Sequence, residues 1–69
     1  MYVVTVFIAS NEEPIYHRYS EFKKAIRKVR QYEQSFECTC FITCYDTRCK
    51  VYEVQRYKNG RKDFVNFAI

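Results

Sequence analysis

Apolar residues follow two different periods along this chain, and the changes between them mark the elements. Residues 2–9, YVVTVFIA, are β-branched or aromatic almost throughout, which predicts a strand. The polar cluster SNEEP at 10–14 predicts a turn, because Pro14 stops any continuation. IYHRY at 15–19 then predicts a short second strand that pairs back on the first.

An amphipathic helix is predicted over about residues 20–34. Its apolar stripe recurs at three- and four-residue spacing: Phe22, Ala25, Ile26, Val29, Tyr32 and, at the end, Phe36. Ser20 is the predicted N-cap, with Glu21 in the first turn, where a negative charge suits the helix dipole. Glu33 would fall on the apolar stripe, so we expect the helix to loosen near it.

After the helix the pattern becomes alternating, which predicts a strand in FECTCFITCY at 36–45. One face of this strand would carry Cys38, Cys40, Ile42 and Cys44, and the other Thr39, Phe41 and Thr43. DTR at 46–48 predicts a tight turn into a further β segment, KVYEVQRY, with Tyr52 and Val54 on one side.

The strongest local signal is Asn59-Gly60, which predicts a two-residue type I′ hairpin between two alternating runs. A regular ladder from that turn gives four pairs: Lys58 with Arg61, Arg56 with Asp63, Val54 with Val65 and Tyr52 with Phe67. A salt pair and two apolar pairs would then share one face.

These elements predict an α+β fold in one domain, residues 1–69. We expect a single antiparallel sheet of 4–5 strands in the chain order β-(β)-α-β-β-β, with the helix on one face. So short a chain is marginally stable, although 48% hydrophobic and 19% aromatic residues help to fill a core.

Charge adds a functional indication. Twelve Lys+Arg against eight Asp+Glu give a formal charge of +4, which favours acidic partners. Six cations fall in or just before the helix: Arg18, Lys23, Lys24, Arg27, Lys28 and Arg30. A second group lies on the hairpins: Arg48, Lys50, Arg56, Lys58, Arg61 and Lys62. Such cations form either a solvated surface or a binding face, and the sequence favours neither.

Aromatic rings near the second group bear on that choice. Tyr45, Tyr57 and Phe64 are expected to be exposed there, and rings interleaved with cations suit single-stranded nucleic acid or a protein interface. The candidate binding residues are Arg18, Lys23, Lys24, Arg27, Lys28, Arg30, Tyr57, Arg61, Lys62 and Phe64.

The cysteines all lie within ECTCFITCYDTRC: Cys38, Cys40, Cys44 and Cys49. They would be the ligands if the chain held zinc, but three alternate over about 20 Å of predicted strand, and the spacing fits no common zinc motif. The geometry allows a disulfide between Cys44 and Cys49 across the turn, but disfavours one between Cys38 and Cys40. The favoured interpretation makes Cys40 and Cys44 small apolar residues under the helix, so no metal site is predicted.

Little in the chain indicates catalysis. His17 is the only histidine, and we expect a surface or hydrogen-bonded role for it. A single glycine excludes Gly-rich phosphate loops, and the eight carboxylates are scattered, with no pair on one predicted face near apolar walls. We therefore expect no enzyme and no cofactor.

The apolar start is about ten residues, too short for a membrane span or a typical signal peptide. This predicts a cytoplasmic protein with reduced thiols.

HRYSEF at 17–22 resembles the Arg-Tyr-Ser-Asp/Glu-Phe signature of PX domains, which bind phosphoinositides. The resemblance would make Arg18 the phosphate-binding residue and Tyr19 the ring under the inositol. The proline-rich loop and the long helical half of a PX domain are missing.

The overall layout resembles small phage-encoded inhibitor proteins, including some anti-CRISPR proteins. It has an N-terminal strand, one helix and a closing YKNGRKDFV hairpin.

The second resemblance implies a non-enzymatic protein that docks on a host protein or nucleoprotein complex with an acidic surface and blocks it. Direct nucleic-acid binding by the basic helix or hairpins is the first alternative, and a phosphoinositide-binding PX-like fragment is the second. Under the leading interpretation we expect no membrane partner. The chain would be a monomer or, by pairing of its C-terminal strand, a homodimer.

Overall fold

The computed structural model describes residues 1–58 and 60–67, with only the backbone for Phe64 and Phe67. Its elements in chain order are β1 (Tyr2–Ile8), β2 (Ile15–Tyr19), α1 (Phe22–Ser35), β3 (Cys38–Tyr45), β4 (Val51–Lys58) and β5 (Arg61–Phe67). All neighbouring strands are antiparallel, in the sheet order β2-β1-β3-β4-β5. The predicted α+β architecture is therefore confirmed, including the short second strand.

The helix packs against β1, β2 and β3, and this contact forms the core. Ala25 and Val29 of the helix are buried against Val4, Val6 and Ile42 of the sheet. Burial of each Val or Ile side chain contributes roughly 1.5–3 kcal/mol, so the loss of one such contact would remove a large part of the small net stability of a chain this size.

The alternation predicted for the cysteine-rich strand is confirmed. Cys40, Ile42 and Cys44 are buried on the helix side, whereas Thr39, Phe41 and Thr43 lie on the opposite face. Cys40 and Cys44 serve as small apolar core residues, as expected. Burial, followed by the neighbouring Cys38, raises the pKa of the Cys40 thiol to about 12.

Both helix ends differ from expectation. Glu21, not Ser20, is the N-cap residue, and its carbonyl accepts the backbone N–H of Ala25 at 3.3 Å. Its side chain makes no cap hydrogen bond and instead lies 3.4 Å from the Lys24 ammonium. The helix does not loosen near Glu33 but continues to Ser35. The Glu33 carboxylate accepts the exposed Gly60 N–H at 2.6 Å, so its charge is accommodated without a break in the helix.

The last hairpin departs from the predicted register. Lys58 pairs with Arg61 as predicted, and Gly60 has the positive φ of 76° that such a turn favours. Asn59, the other turn residue of that prediction, lies outside the described residues.

A β-bulge then places Asp63 and Phe64 together opposite Arg56. Beyond the bulge the observed pairs are Gln55 with Val65, Val54 with Asn66 and Glu53 with Phe67. The predicted pairs Val54–Val65 and Tyr52–Phe67 are therefore wrong, because a regular ladder has no place for the extra residue. The predicted ion pair survives, with Arg56 Nε 2.9 Å from Asp63 Oδ1.

A second irregularity in strand pairing separates Tyr52 from Val54, which were expected on one side of β4. Tyr45 pairs with Val51 and Cys44 with Glu53, so Tyr52 is the extra residue between them. Tyr52 lies close to Tyr2, whose hydroxyl raises the pKa of the Tyr52 phenol to about 12. Val54 instead pairs with Thr43, on the face opposite the core.

Candidate binding groove

The helix covers only part of the sheet, and a groove forms where its cover ends. The groove lies between α1 and the helix side of the β4–β5 hairpin, with a volume of about 600 Å³. Its lining residues are Phe22, Lys23, Ile26, Arg27, Arg30, Tyr57 and Lys62. Five of these are predicted binding residues, which the fold brings together from two separate parts of the sequence.

Spacing along the helix explains how one flank of α1 combines apolar and cationic side chains. Residues four apart lie on the same side of a helix, so Phe22, Ile26 and Arg30 form a row beside the core stripe. Lys23 and Arg27 form the next row outward. From the sequence, Phe22 and Ile26 were predicted only as core residues. Their position directly beside a row of cations could have indicated a groove wall with both apolar and cationic side chains.

Tyr57 forms part of the groove but is not the exposed ring that was predicted. It is 9% exposed, because β4 pairs it with the fully buried Cys40 and so turns it toward the helix side. The Tyr57 hydroxyl donates a hydrogen bond to Gln55, whose amide donates to Glu53. This ladder satisfies the buried Gln55 amide at the margin of the core.

Electrostatically, the groove is positive. Four of its described lining residues are cations and none is a carboxylate. The ion pairs found within residues 1–58 and 60–67 join Lys24 to Glu21 and Arg56 to Asp63, and neither involves a groove cation. Among the described residues, Lys23, Arg27, Arg30 and Lys62 therefore form no ion pair, and the nearby carboxylate of Glu33 lines an adjoining hollow with Arg30.

The other predicted binding residues lie elsewhere. Lys24 and Lys28 face Tyr19 on the far flank of the helix, around a smaller hollow of about 210 Å³. Arg18 and Arg61 lie on strands at the two edges of the sheet, where β2 and β5 end the strand order. The Phe64 backbone pairs with Arg56, and its side chain lies outside the described residues.

Two of the remaining hairpin cations, Arg48 and Lys50, lie in the β3–β4 turn, which their backbone N–H groups help to close. Asp46 Oδ1 accepts the backbone N–H groups of Arg48 at 2.8 Å and Lys50 at 3.0 Å, which closes the turn between β3 and β4. Cys49 in this turn has a positive φ of 61° and is exposed. The Arg56 guanidinium lowers the pKa of Asp63. Of the second cationic group, Lys62 is the member that lines the groove.

His17 has the hydrogen-bonded role that was expected. Its Nε2 lies 2.9 Å from the Tyr32 hydroxyl, and its ring stacks on Tyr19. Burial, and then the charge of Lys28, lower the pKa of His17. The Tyr19 ring and the Tyr32 hydroxyl hold His17 as a structural bridge between β2 and α1.

The PX-like residues separate in space. Arg18 pairs with Val3 and is exposed on the face opposite the helix, whereas Tyr19 packs against the core on the helix side. They are neighbours in sequence, but alternation along β2 directs them to opposite faces.

The four cysteines do not converge. Cys38 and Cys40 have their sulfur atoms 3.8 Å apart, Cys44 lies further along the same strand, and Cys49 is exposed in the turn. Across the described part of the chain, no group of three or more His, Cys, Asp and Glu side chains is placed to hold a metal ion. A bilayer span calls for a longer and more apolar helix than any found among residues 1–58 and 60–67.

Comparison with protein-family models, curated proteins and solved structures found no match for this chain. Function must therefore be inferred from its own surfaces.

Proposed function

We propose that this chain is a non-enzymatic binding protein whose groove between α1 and β4–β5 docks on an acidic surface of a host protein or nucleoprotein complex. The observation that carries the proposal is the convergence of four cations, Lys23, Arg27, Arg30 and Lys62, around a partly apolar groove, with no ion pair to any of them among the described residues. The chain would act by occupying and blocking the partner's surface, in the manner of small phage-encoded inhibitors.

The mixed character of the groove favours a protein segment over a bare polyanion. Phosphates need only cations, whereas Phe22, Ile26 and Tyr57 add surface that an apolar side chain would cover. A segment with carboxylates flanking one or two aromatic residues would match both parts. Charge complementarity would speed and orient docking. The partner's aromatic ring, once buried in the groove, would supply most of the affinity.

Fluorescence anisotropy with two labelled polymers tests whether the groove recognises both carboxylates and aromatic side chains. A random Glu-Tyr copolymer should bind more tightly than poly-Glu of equal length, since only the copolymer can fill the apolar part. The double variant R27E/K62E should weaken copolymer binding by at least about tenfold, because like charges would then face the carboxylates.

The matched control is R48E/K50E, which reverses two exposed cations in the β3–β4 turn, outside the groove. Its net charge equals that of R27E/K62E, so any difference between the two variants reports position rather than total charge. Equal losses in both variants, or equal affinity for the two polymers, would contradict docking in the groove.

A further inference from the structure

The face of the sheet opposite the helix has no cover in the described part of the chain, and three aromatic rings stand on it. Phe7 is 47% and Tyr16 64% exposed, and Phe41 is half-buried against Phe7. The Phe7 and Phe41 centroids lie 5.7 Å apart with their planes at 87°. None of these rings was among the predicted binding residues, because each belongs to a strand whose other face forms the core.

Strand register arranges this face in rows. One row runs from Tyr16 through Thr5 and Phe41 to Arg56. Its neighbour on one side runs from Phe7 through Thr39 and Lys58 to Arg61. The neighbour on the other side begins with Arg18 and Val3 and continues to Thr43. Thr5 separates Tyr16 from the Phe7–Phe41 pair, and the short side chains of Val3, Thr39 and Thr43 occupy the neighbouring positions.

Cations surround the rings on this face. Arg18, Lys58 and Arg61 are exposed, and each lies in or beside a row that holds a ring. Among the described residues of these rows there is no carboxylate; Asp63, the extra residue of the bulge, pairs with Arg56 at 2.9 Å. At one end Phe7, Thr39 and Lys58 line a hollow of about 350 Å³, which Glu37 borders.

We propose that this helix-free face binds single-stranded nucleic acid, with bases stacked on Phe7, Tyr16 and Phe41 and phosphates contacting Arg18, Lys58 and Arg61. Aromatic side chains stack any base, and flanking cations neutralise the backbone that joins the bases. A duplex keeps its bases stacked inside, so it cannot use the rings in this way. The inference goes beyond the groove, which lies on the other side of the sheet.

Charge complementarity selects this occupant over a second copy of the chain. Two copies stacked face to face would bring two sets of Arg18, Lys58 and Arg61 together, and the carboxylates described near this face are Glu37 beside the hollow and Asp63, which already pairs with Arg56. A phosphate backbone supplies one negative charge per nucleotide, so a strand that crosses the face could meet Arg18 at one edge and the paired Lys58 and Arg61 at the other.

Fluorescence anisotropy with labelled dT20, a 20-base-pair duplex and heparin tests the proposal. We expect dT20 to bind more tightly than the duplex. F7L/Y16A should lower dT20 affinity about tenfold or more, since loss of a stacking ring weakens binding substantially, and should leave heparin binding unchanged. R18Q/K58Q should weaken the binding of both dT20 and heparin, and should make the affinity for dT20 depend less steeply on salt.

Two control variants separate this surface from others. F36A removes a ring that is 49% exposed at the helix C-terminus, away from the rows, and should leave dT20 affinity unchanged. R27E/K62E tests the groove independently and should reduce dT20 affinity no more than R48E/K50E does. Near-ultraviolet circular dichroism on each variant checks that the fold is retained.

Other results would overturn the inference. Absence of dT20 binding at low salt would do so, as would equal affinity for duplex and single strand. If F7L/Y16A and F36A changed dT20 affinity equally, the face would be a cationic surface without stacking. Failure here leaves the groove proposal intact, because that proposal depends on different residues and a different ligand.

Discussion

His17 illustrates how one side chain couples stability to pH. It pairs with Val4 on the core side of β2, and its Nε2 meets the Tyr32 hydroxyl of the helix at 2.9 Å. Burial and Lys28 disfavour the imidazolium, so the folded-state pKa of His17 lies below its usual value of 6.5. The unfolded chain therefore binds more protons than the folded chain just below pH 6.5, and protonation favours unfolding.

The free energy of unfolding should accordingly be highest above pH 6.5 and fall as the pH drops through the folded-state pKa of His17. The variant H17Q keeps a polar partner for Tyr32 but cannot titrate, so its stability should change less between pH 8 and pH 5. Urea unfolding at several pH values measures the difference. An equal decrease in both proteins would contradict the assignment of this dependence to His17.

At the scale of elements, one hydrogen bond joins the helix to the last hairpin. The Glu33 carboxylate accepts the Gly60 N–H at 2.6 Å, across 27 residues of sequence. The helix otherwise packs on β1, β2 and β3, so this contact helps to set where the groove ends. A hydrogen bond to a charged group contributes about 1.5–3 kcal/mol in general, and less where water competes, as here.

We expect E33A to lower the free energy of unfolding by about 1 kcal/mol. Gln34 is the matched control, since it is the exposed neighbour on the same helix and Q34A gains the same helix propensity. Urea titration of both variants, followed by helical circular dichroism, measures the difference. Equal stability of E33A and Q34A would mean that the Gly60 contact contributes nothing.

The same elements explain what the sequence could predict. Strands and helix follow from local periodicity, and Cys40, Ile42 and Cys44 are buried where alternation placed them. The bulge at Asp63 and the burial of Tyr57 depend on β4 pairing with β3 and β5, which no local pattern encodes. The groove exists because the helix covers only some of the strands. The sequence could identify its cations as candidate binding residues, but it could not show that they line one groove.

At the scale of the whole molecule, the cysteines report on global unfolding. Cys49 is exposed in a turn, whereas Cys40 is fully buried beneath the helix in the middle strand of the sheet. A reagent can reach Cys40 only after the helix has separated from the sheet. For a domain of this size the free energy of unfolding is about 3–10 kcal/mol, so such openings are rare.

Native-state thiol labelling should therefore modify Cys49 at least about 100-fold faster than Cys40, with Cys44 protected like Cys40. The raised pKa of Cys40 slows its reaction further, because the thiolate is the reactive form. In concentrated urea the difference should disappear, which serves as the control, and mass spectrometry of peptides assigns each site. Rapid labelling of Cys40 in native buffer would mean that the helix does not stay packed on the sheet, and both proposed surfaces would then lose the rigid scaffold on which their geometry depends.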